Sequence, residues 1–217
     1  MESDFWIKKW EVNQLGFHQQ KINSRLKLYW GEKSLNKGAV FVPLCGKSKD
    51  MAWLAEQGHS VIGVEISEIA CRDFFDELGF AYDEFVDEKF RHFKGHSIEL
   101  LQGDFFALTR NDLPGVNIVY DRASLVALPP EMRKRYAQHL AMLLNPDDQI
   151  LLISMDYDQN KMKGPPFSVT EDEVRSLFES NFQVERITQS SGPDIVGNLS
   201  ERGLDTLTEK IYVITRR

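Results

Sequence analysis

Apolar residues in this chain fall in short runs between amphipathic stretches, the pattern of strands alternating with helices. The first run, Ala-Val-Phe-Val at 39–42, predicts a strand. It leads into a tight turn at Pro43-Leu44-Cys45-Gly46. The pattern over 47–57 predicts a helix, which Gly58 stops as a C-terminal glycine does. A second apolar strand, 60–65, ends on an acid, Glu65. Ser67 then caps a helix that runs to Leu78 and ends at Gly79. Further strands are predicted over 98–101, 116–120, 149–154, 182–189 and 207–215, which makes seven. Pro130 opens a helix at its first turn, running to Leu144. Asn145-Pro146-Asp147-Asp148 is a turn, and Thr170 with Glu173 forms a capping box for a helix to about Ser180. The stretches 156–169, containing Gly164-Pro165-Pro166, and 190–203 have no period and read as loops, the first as a candidate lid.

Strands alternating with helices imply a mainly parallel sheet covered on both faces. The last two strands have no helix between them, which predicts an antiparallel hairpin at one edge. Residues 1–36 read as helical and rich in aromatics: Phe5, Trp6, Trp10, Phe17, Tyr29 and Trp30. They precede the first strand, so they form an extension laid over the sheet. With 217 residues, a single domain spanning 1–217 is expected.

The composition, 42% hydrophobic and 27% charged, is that of a chain able to bury a core. The net charge of −7 argues against a general nucleic-acid binder. Cys45 and Cys71 are the only cysteines, and they read as reduced thiols of a cytoplasmic protein. The acidic, amphipathic start does not suit a signal peptide, and no window approaches a membrane span.

The first strand, turn, helix and second strand form a βαβ unit. Glu65 lies about twenty residues past the turn, where nucleotide-binding sheets place a carboxylate that grips a ribose diol. A carboxylate accepts two hydrogen bonds and a ribose presents two adjacent hydroxyls. The competing reading is an acid that caps the next helix alongside Ser67. The turn holds one glycine, Gly46, and not the three that let a pyrophosphate approach the backbone, which argues against NAD or FAD. Leu44 and Gly46 can instead offer backbone groups to an amino-acid tail. Lys47-Ser48 echoes the end of a phosphate-binding loop, but the spacing fails. Asp104 and Phe105 read equally as an adenine site, the acid taking an amino group and the ring stacking, or as a polar turn with a core phenylalanine. Arg122 reads as a ligand for a carboxylate or an anionic substrate, or as a salt-bridge partner of Asp121. Cys45 is read as a packed residue, since no histidine is placed to activate it. His92 and His96 lack a third ligand, so no metal is expected.

Several segments together resemble the thiopurine S-methyltransferase family: Trp-Ile-Lys-Lys-Trp at 6–10, Gly-Phe-His-Gln at 16–19, Val-Pro-Leu-Cys-Gly-Lys-Ser at 42–48, Gly-His-Ser-Val-Ile-Gly-Val-Glu-Ile-Ser at 58–67 and Tyr-Asp-Arg-Ala-Ser-Leu-Val-Ala-Leu at 120–128. Gly-Pro-Pro-Phe at 164–167 and Leu-Thr-Glu-Lys-Ile-Tyr at 207–212 extend the resemblance over nearly the whole chain. It implies a Rossmann-like class I methyltransferase of bacterial type, with S-adenosyl-L-methionine as cofactor and S-adenosyl-L-homocysteine as product. It implies cofactor roles for Trp10, Leu44, Gly46, Glu65, Asp104, Phe105 and Arg122. Arg122 also carries an electrostatic catalytic role. Phe17, Pro165, Pro166 and Arg202 fall on the substrate side, and residues 1–36 form a cap over the active site. The loop around Arg202 is shorter than in animal members of the family. The implied acceptors are thiopurines, other aromatic or heterocyclic thiols, and selenium or tellurium oxyanions, with detoxification as the role. A monomer without nucleic-acid or membrane partners is expected.

Two rival functions stay open on the sequence. An NAD(P)-dependent oxidoreductase also wants an acid after its second strand. A non-catalytic module that binds S-adenosylmethionine would keep the cofactor residues and have no need of an acceptor pocket.

Overall fold

The structure, a computed structural model, describes residues 3–16, 18–32 and 38–217. The helices are α1 (Ser3–Glu11), α2 (Ser24–Glu32), α3 (Asp50–Glu56), α4 (Glu68–Leu78), α5 (Pro130–Leu143) and α6 (Glu171–Phe178). The strands are β1 (Ala39–Val42), β2 (Val61–Glu65), β3 (Asp83–Val86), β4 (Arg91–Gly95), β5 (Ile98–Gln102), β6 (Val116–Arg122), β7 (Gln149–Asp156), β8 (Phe182–Gly192) and β9 (Leu207–Arg216). They form one nine-stranded sheet in the order β3-β4-β5-β2-β1-β6-β7-β9-β8. The expected sheet of seven strands is therefore corrected to nine. The chain divides into two compact units, one reaching Val119 and the other Tyr120–Arg217.

In the first unit β1 lies parallel to β2 and β6, and β2 lies parallel to β5, in the register Val40↔Val61 and Val61↔Ile98. Every residue of β1 and β2 is buried, as parallel strands covered on both faces require. The added strands, β3 and β4, are antiparallel to one another, and β4 is antiparallel to β5. The extension is not continuous helix: residues 12–16 and 18–23 are irregular between α1 and α2. The side chain of Asn23 accepts from the amides of Arg25 and Leu26 and so caps α2, while its own amide donates to the buried Asp50 carboxylate at 2.8 Å. The Trp30 indole donates to His59 Nε2 at 3.0 Å. An indole N–H can only donate, so Nδ1 carries the His59 proton and donates to the Gly38 carbonyl.

Local chemistry sets the helix ends. Ser67 accepts from the Ala70 amide, and Gly79 closes α4 in the left-handed conformation at φ 66°. The first helix after the turn starts at Asp50 and not at residue 47, because residues 43–49 are spent on turns.

In the second unit β9 pairs antiparallel with both β7 and β8, which places the expected hairpin at the sheet edge. Pro130 stands in the first turn of α5, and Thr170 accepts from the Glu173 amide at the start of α6. The stretch 190–203 is not a plain loop. β8 continues to Gly192 opposite Leu207, and short 3-10 turns follow at Pro193–Ile195 and Gly197–Arg202. Val196 and Leu199 there, with Leu204 just after, pack with Tyr157, Met162 and Leu207 into a small apolar cluster.

Candidate active site

Six residues with expected cofactor roles lie at or beside the carboxyl ends of β1, β2 and β5 in the first unit. Leu44 and Gly46, in the turn after β1, both have left-handed backbone, with φ 45° and 52°. That conformation costs an ordinary residue about 1–2 kcal/mol, and such outliers cluster where a ligand is held. A Cβ on Gly46 would lie 3.3 Å from Cζ2 of Trp10, so a side chain here would press the α1 indole back by a few tenths of an ångström. Trp10 is 4% exposed.

Glu65, the last residue of β2, ties two turns together. Its Oε2 accepts from the Gly46 amide at 2.9 Å and its Oε1 from the Ser67 amide at 2.8 Å. The helix-capping role weighed for this residue is therefore real. Each oxygen keeps a second lone pair, so capping leaves the carboxylate able to accept from hydroxyls. Burial pushes the Glu65 carboxyl above its ordinary range, and the amides of Ser67, Gly46 and Ile66 oppose that rise. The backbone carbonyl of Glu65 accepts from the Gly103 amide, and Gln102 Nε2 donates to the carbonyl of Ile66. These bonds join the β2 end to the β5 end.

Asp104 is exposed and accepts from the Phe106 amide at 2.9 Å. Phe105 is buried, its ring stacked on Phe41 at a centroid distance of 6.3 Å. The acid thus faces solvent at the end of β5 while the ring is part of the core. Cys45 and Cys71 are buried free thiols, and burial, then the Glu65 charge, raises both well above the ordinary thiol range. That is the opposite of nucleophile activation. The packed Cys45 thiol helps explain the glycine at 63, where a Cβ would lie 2.7 Å from Cys45 Sγ and from Leu100 Cδ2.

The second unit carries Arg122, Pro165, Pro166 and Arg202. Arg122 ends β6 and is half-buried. The next residue, Ala123, has φ 105°, a sharp turn in a left-handed region. Asp121 holds that turn: its Oδ1 accepts from the amides of Ser124 and Leu125, and its Oδ2 from the Tyr136 hydroxyl at 2.8 Å. Burial raises the Asp121 carboxyl, and Tyr136 and the two amides oppose this.

Arg202 and the proline loop are brought together, since Arg202 Nη1 donates to the Pro165 carbonyl at 2.7 Å. The Tyr157 hydroxyl donates to the Pro166 carbonyl at 2.6 Å. Arg133, 1% exposed, donates to the carbonyls of Leu128 and Ser168 and pairs with Glu173 at 2.6 Å. Its guanidinium also lies 5.7 Å from the centre of the Phe167 ring. Phe17 lies outside the described residues.

Sequence reasoning missed Tyr157 and Arg133. It also dismissed Lys47, whose ammonium is buried between Asp73 at 2.9 Å and Glu77 at 2.6 Å. The one sequence signal for Lys47 was the pair of acids four residues apart on one helix face.

The model of the family described as Thiopurine S-methyltransferase (TPMT) matches residues 1–217. The chain is 42% identical to the thiopurine S-methyltransferase of Marinobacter nauticus over 219 residues, covering 100% of both chains. It is 44% identical to that of Azotobacter vinelandii over 221 residues, again covering 100% of both. Among solved structures, the magnesium protoporphyrin IX methyltransferase of Synechocystis, with bound S-adenosylhomocysteine, matches with a TM-score of 0.64 at 15% identity, covering 100% of each chain. The 1,6-didemethyltoxoflavin-N1-methyltransferase of Burkholderia thailandensis matches with the same TM-score at 15% identity, covering 99% of this chain and 87% of its own. At that identity the two structures establish the fold, a Rossmann-like methyltransferase.

Proposed function

This chain belongs to the thiopurine S-methyltransferase family, and from that premise we propose that it methylates the sulfur of thiopurines and of other aromatic or heterocyclic thiols, and that selenium and tellurium oxyanions are further acceptors. The methyltransferase activity and the use of S-adenosyl-L-methionine come with the family. The oxidoreductase reading is set aside accordingly. The full-length family match is the observation that carries the acceptor proposal.

The residues present fit the cofactor. A buried carboxylate with open lone pairs, Glu65, stands beside a turn with left-handed backbone at Leu44 and Gly46, against which the Trp10 indole lies close. In this reading Glu65 takes the ribose hydroxyls, Leu44 and Gly46 meet the methionine tail, Trp10 covers it, and Asp104 with Phe105 borders the adenine. The cofactor supplies an activated methyl group on a sulfonium. The chain has then to align two reactants, and alignment alone is worth roughly 7–11 kcal/mol. A thiol on an electron-poor ring is acidic enough to react as its anion, so a strong base is not needed.

Arg122 and Arg202 stabilise that anion electrostatically, with Pro165 and Pro166 shaping the acceptor side. Phe17 is assigned to the acceptor side, and residues 1–36 to the cap, on the family resemblance alone. The acceptor is a small molecule, and the protein acts as a cytoplasmic monomer. Among the described residues no helix is long and apolar enough to cross a membrane.

A labelled-methyl assay over thiopurines, thiophenols, selenite and tellurite tests the acceptor class. Methylated thiopurine or thiophenol is the expected product. No product from any of these, with S-adenosylhomocysteine still bound, would leave a binding module in place of an S-methyltransferase.

A further inference from the structure

Lys47 follows Gly46 directly, so its backbone belongs to the cofactor turn, yet its side chain does something a turn does not require. The residue is 8% exposed. Burying an unpaired cation costs several kcal/mol, so a buried lysine implies partners. Here they are Asp73 Oδ2 at 2.9 Å and Glu77 Oε1 at 2.6 Å, one turn apart on α4. Burial alone would lower the Lys47 ammonium's affinity for its proton, but the bonds to Glu77 and Asp73 outweigh it and the ordinary value is raised. The cation is therefore held firmly charged.

The same nitrogen lies 5.7 Å from the centre of the Trp10 ring. That is within reach of a cation–π attraction, which strengthens where water is excluded. That indole also lies close against Gly46, where a Cβ would stand 3.3 Å from its Cζ2. Lys47 is thus a joint between three parts: the turn, whose Gly46 amide is bonded to Glu65; α4, through two carboxylates; and α1, through the Trp10 ring.

We propose that Lys47 is a positioning residue for cofactor binding, its ammonium seating the Trp10 indole on the turn and holding the Gly46 amide in line with Glu65. The proposal rests on the cofactor assignment above. Lys47 itself touches no reacting atom. What it controls is whether the cofactor meets a formed site or must form one, and the difference appears as affinity.

The test replaces Lys47 with methionine, which keeps an unbranched stem and removes the charge. S-adenosylhomocysteine binding to the full-length chain is measured by calorimetry at 25 °C, beside Tm and tryptophan fluorescence. Lys47→Met is expected to weaken S-adenosylhomocysteine by about tenfold, equivalent to about 1.4 kcal/mol. The KM for methyl donor should rise with little change in that for acceptor. Trp10 emission should shift to the red, as identified by subtracting the same change in a Trp10→Phe background. Lys47→Arg, which keeps the cation, should recover most of the affinity.

A purely structural lysine would give a different pattern: Tm would fall while affinity and emission at 25 °C stayed as in the parent, and that result would overturn the proposal. If Lys47→Met does not fold, Glu77→Gln removes one counter-charge and carries the same expectation in smaller measure, about threefold on the same scale. Unchanged affinity in Glu77→Gln would then overturn it. Absence of S-adenosylhomocysteine binding to the parent chain is a separate outcome: it would sink the cofactor assignment and the positioning role with it.

Discussion

The turns after β1 and β2 and the loop at 157–169 are both irregular backbone, but they are held in different ways. The first pair is fixed from within. One buried carboxylate, Glu65, bonds the amides at Gly46 and Ser67, and left-handed residues 44 and 46 shape the path. The loop also draws on support from outside. Its carbonyls at Pro165 and Ser168 are held by side chains from elsewhere, Arg202 and Arg133, while its own first residue, Tyr157, holds that of Pro166. Gln159, also within the loop, adds an acceptor for the Ser168 amide. A turn fixed by its own backbone yields to changes in one carboxylate. A loop fixed by distant side chains yields wherever one of them is cut.

The largest effect on that contrast is expected at Arg133. Arg133→Met leaves the Glu173 carboxylate and two carbonyls without their buried donor. Loss of one member of a buried pair costs about 3–5 kcal/mol, read as a fall in thermal stability by calorimetry. A variant as stable as the parent would show that the loop does not depend on outside support.

Next comes Glu65→Ala, which removes the internal tie. Two charge-assisted bonds to ribose make this worth about 1.5–3 kcal/mol in S-adenosylhomocysteine affinity. An unchanged Kd would remove the ribose role. Smaller again is Arg202→Ala, at about 1 kcal/mol for one bond to a carbonyl. It should raise KM for an anionic thiol and leave cofactor Kd alone. Equal loss in both would mean that the loop and the cofactor turn are one functional unit.

These contrasts also explain what could be read from the chain. The internal device is local: an acid about twenty residues past a turn, a serine cap at 67 and a glycine stop at 79 are all signals within one βαβ unit and the helix that follows it. The outside device joins residues 35 and 37 positions apart, which no period reveals. The partners of Lys47 stay hidden for the same reason, lying 26 and 30 residues on.

The strands β3 and β4 hid for a different cause. All four residues of β3 are exposed, and Arg-His-Phe-Lys-Gly in β4 has no apolar alternation. Polar pairs bind them instead. Arg72 and Arg91 meet Glu84, and His92 lies between Asp87 and Glu99. The apolar pattern alone sees a strand with a buried face and is blind to one held by charges. The end of β8 was placed early because its register comes from β9, with Ser190 opposite Glu209, and not from its own alternation.

The smallest expected effect belongs to this charged hairpin. The amides of Phe90 and Lys89, and then His92, hold the Asp87 carboxyl down at about 2, against an ordinary 3.8. A depressed acid stabilises the fold above its unfolded value and loses that contribution as pH falls through its folded one. Stability should therefore decline between about pH 4 and pH 2 partly through Asp87. Asp87→Asn should flatten that part of a Tm-against-pH curve, and an unaltered slope would assign the acid sensitivity to other carboxylates.

The assignment of Glu65 to the ribose is tested most directly by a binding cycle. S-adenosylhomocysteine and its 2′,3′-dideoxy analogue are each titrated into the parent chain and into Glu65→Ala. Loss of the hydroxyls should weaken binding to the parent by about 1.5–3 kcal/mol and scarcely affect the variant. The same loss in both proteins would contradict the account, because the hydroxyls would then be meeting something other than Glu65.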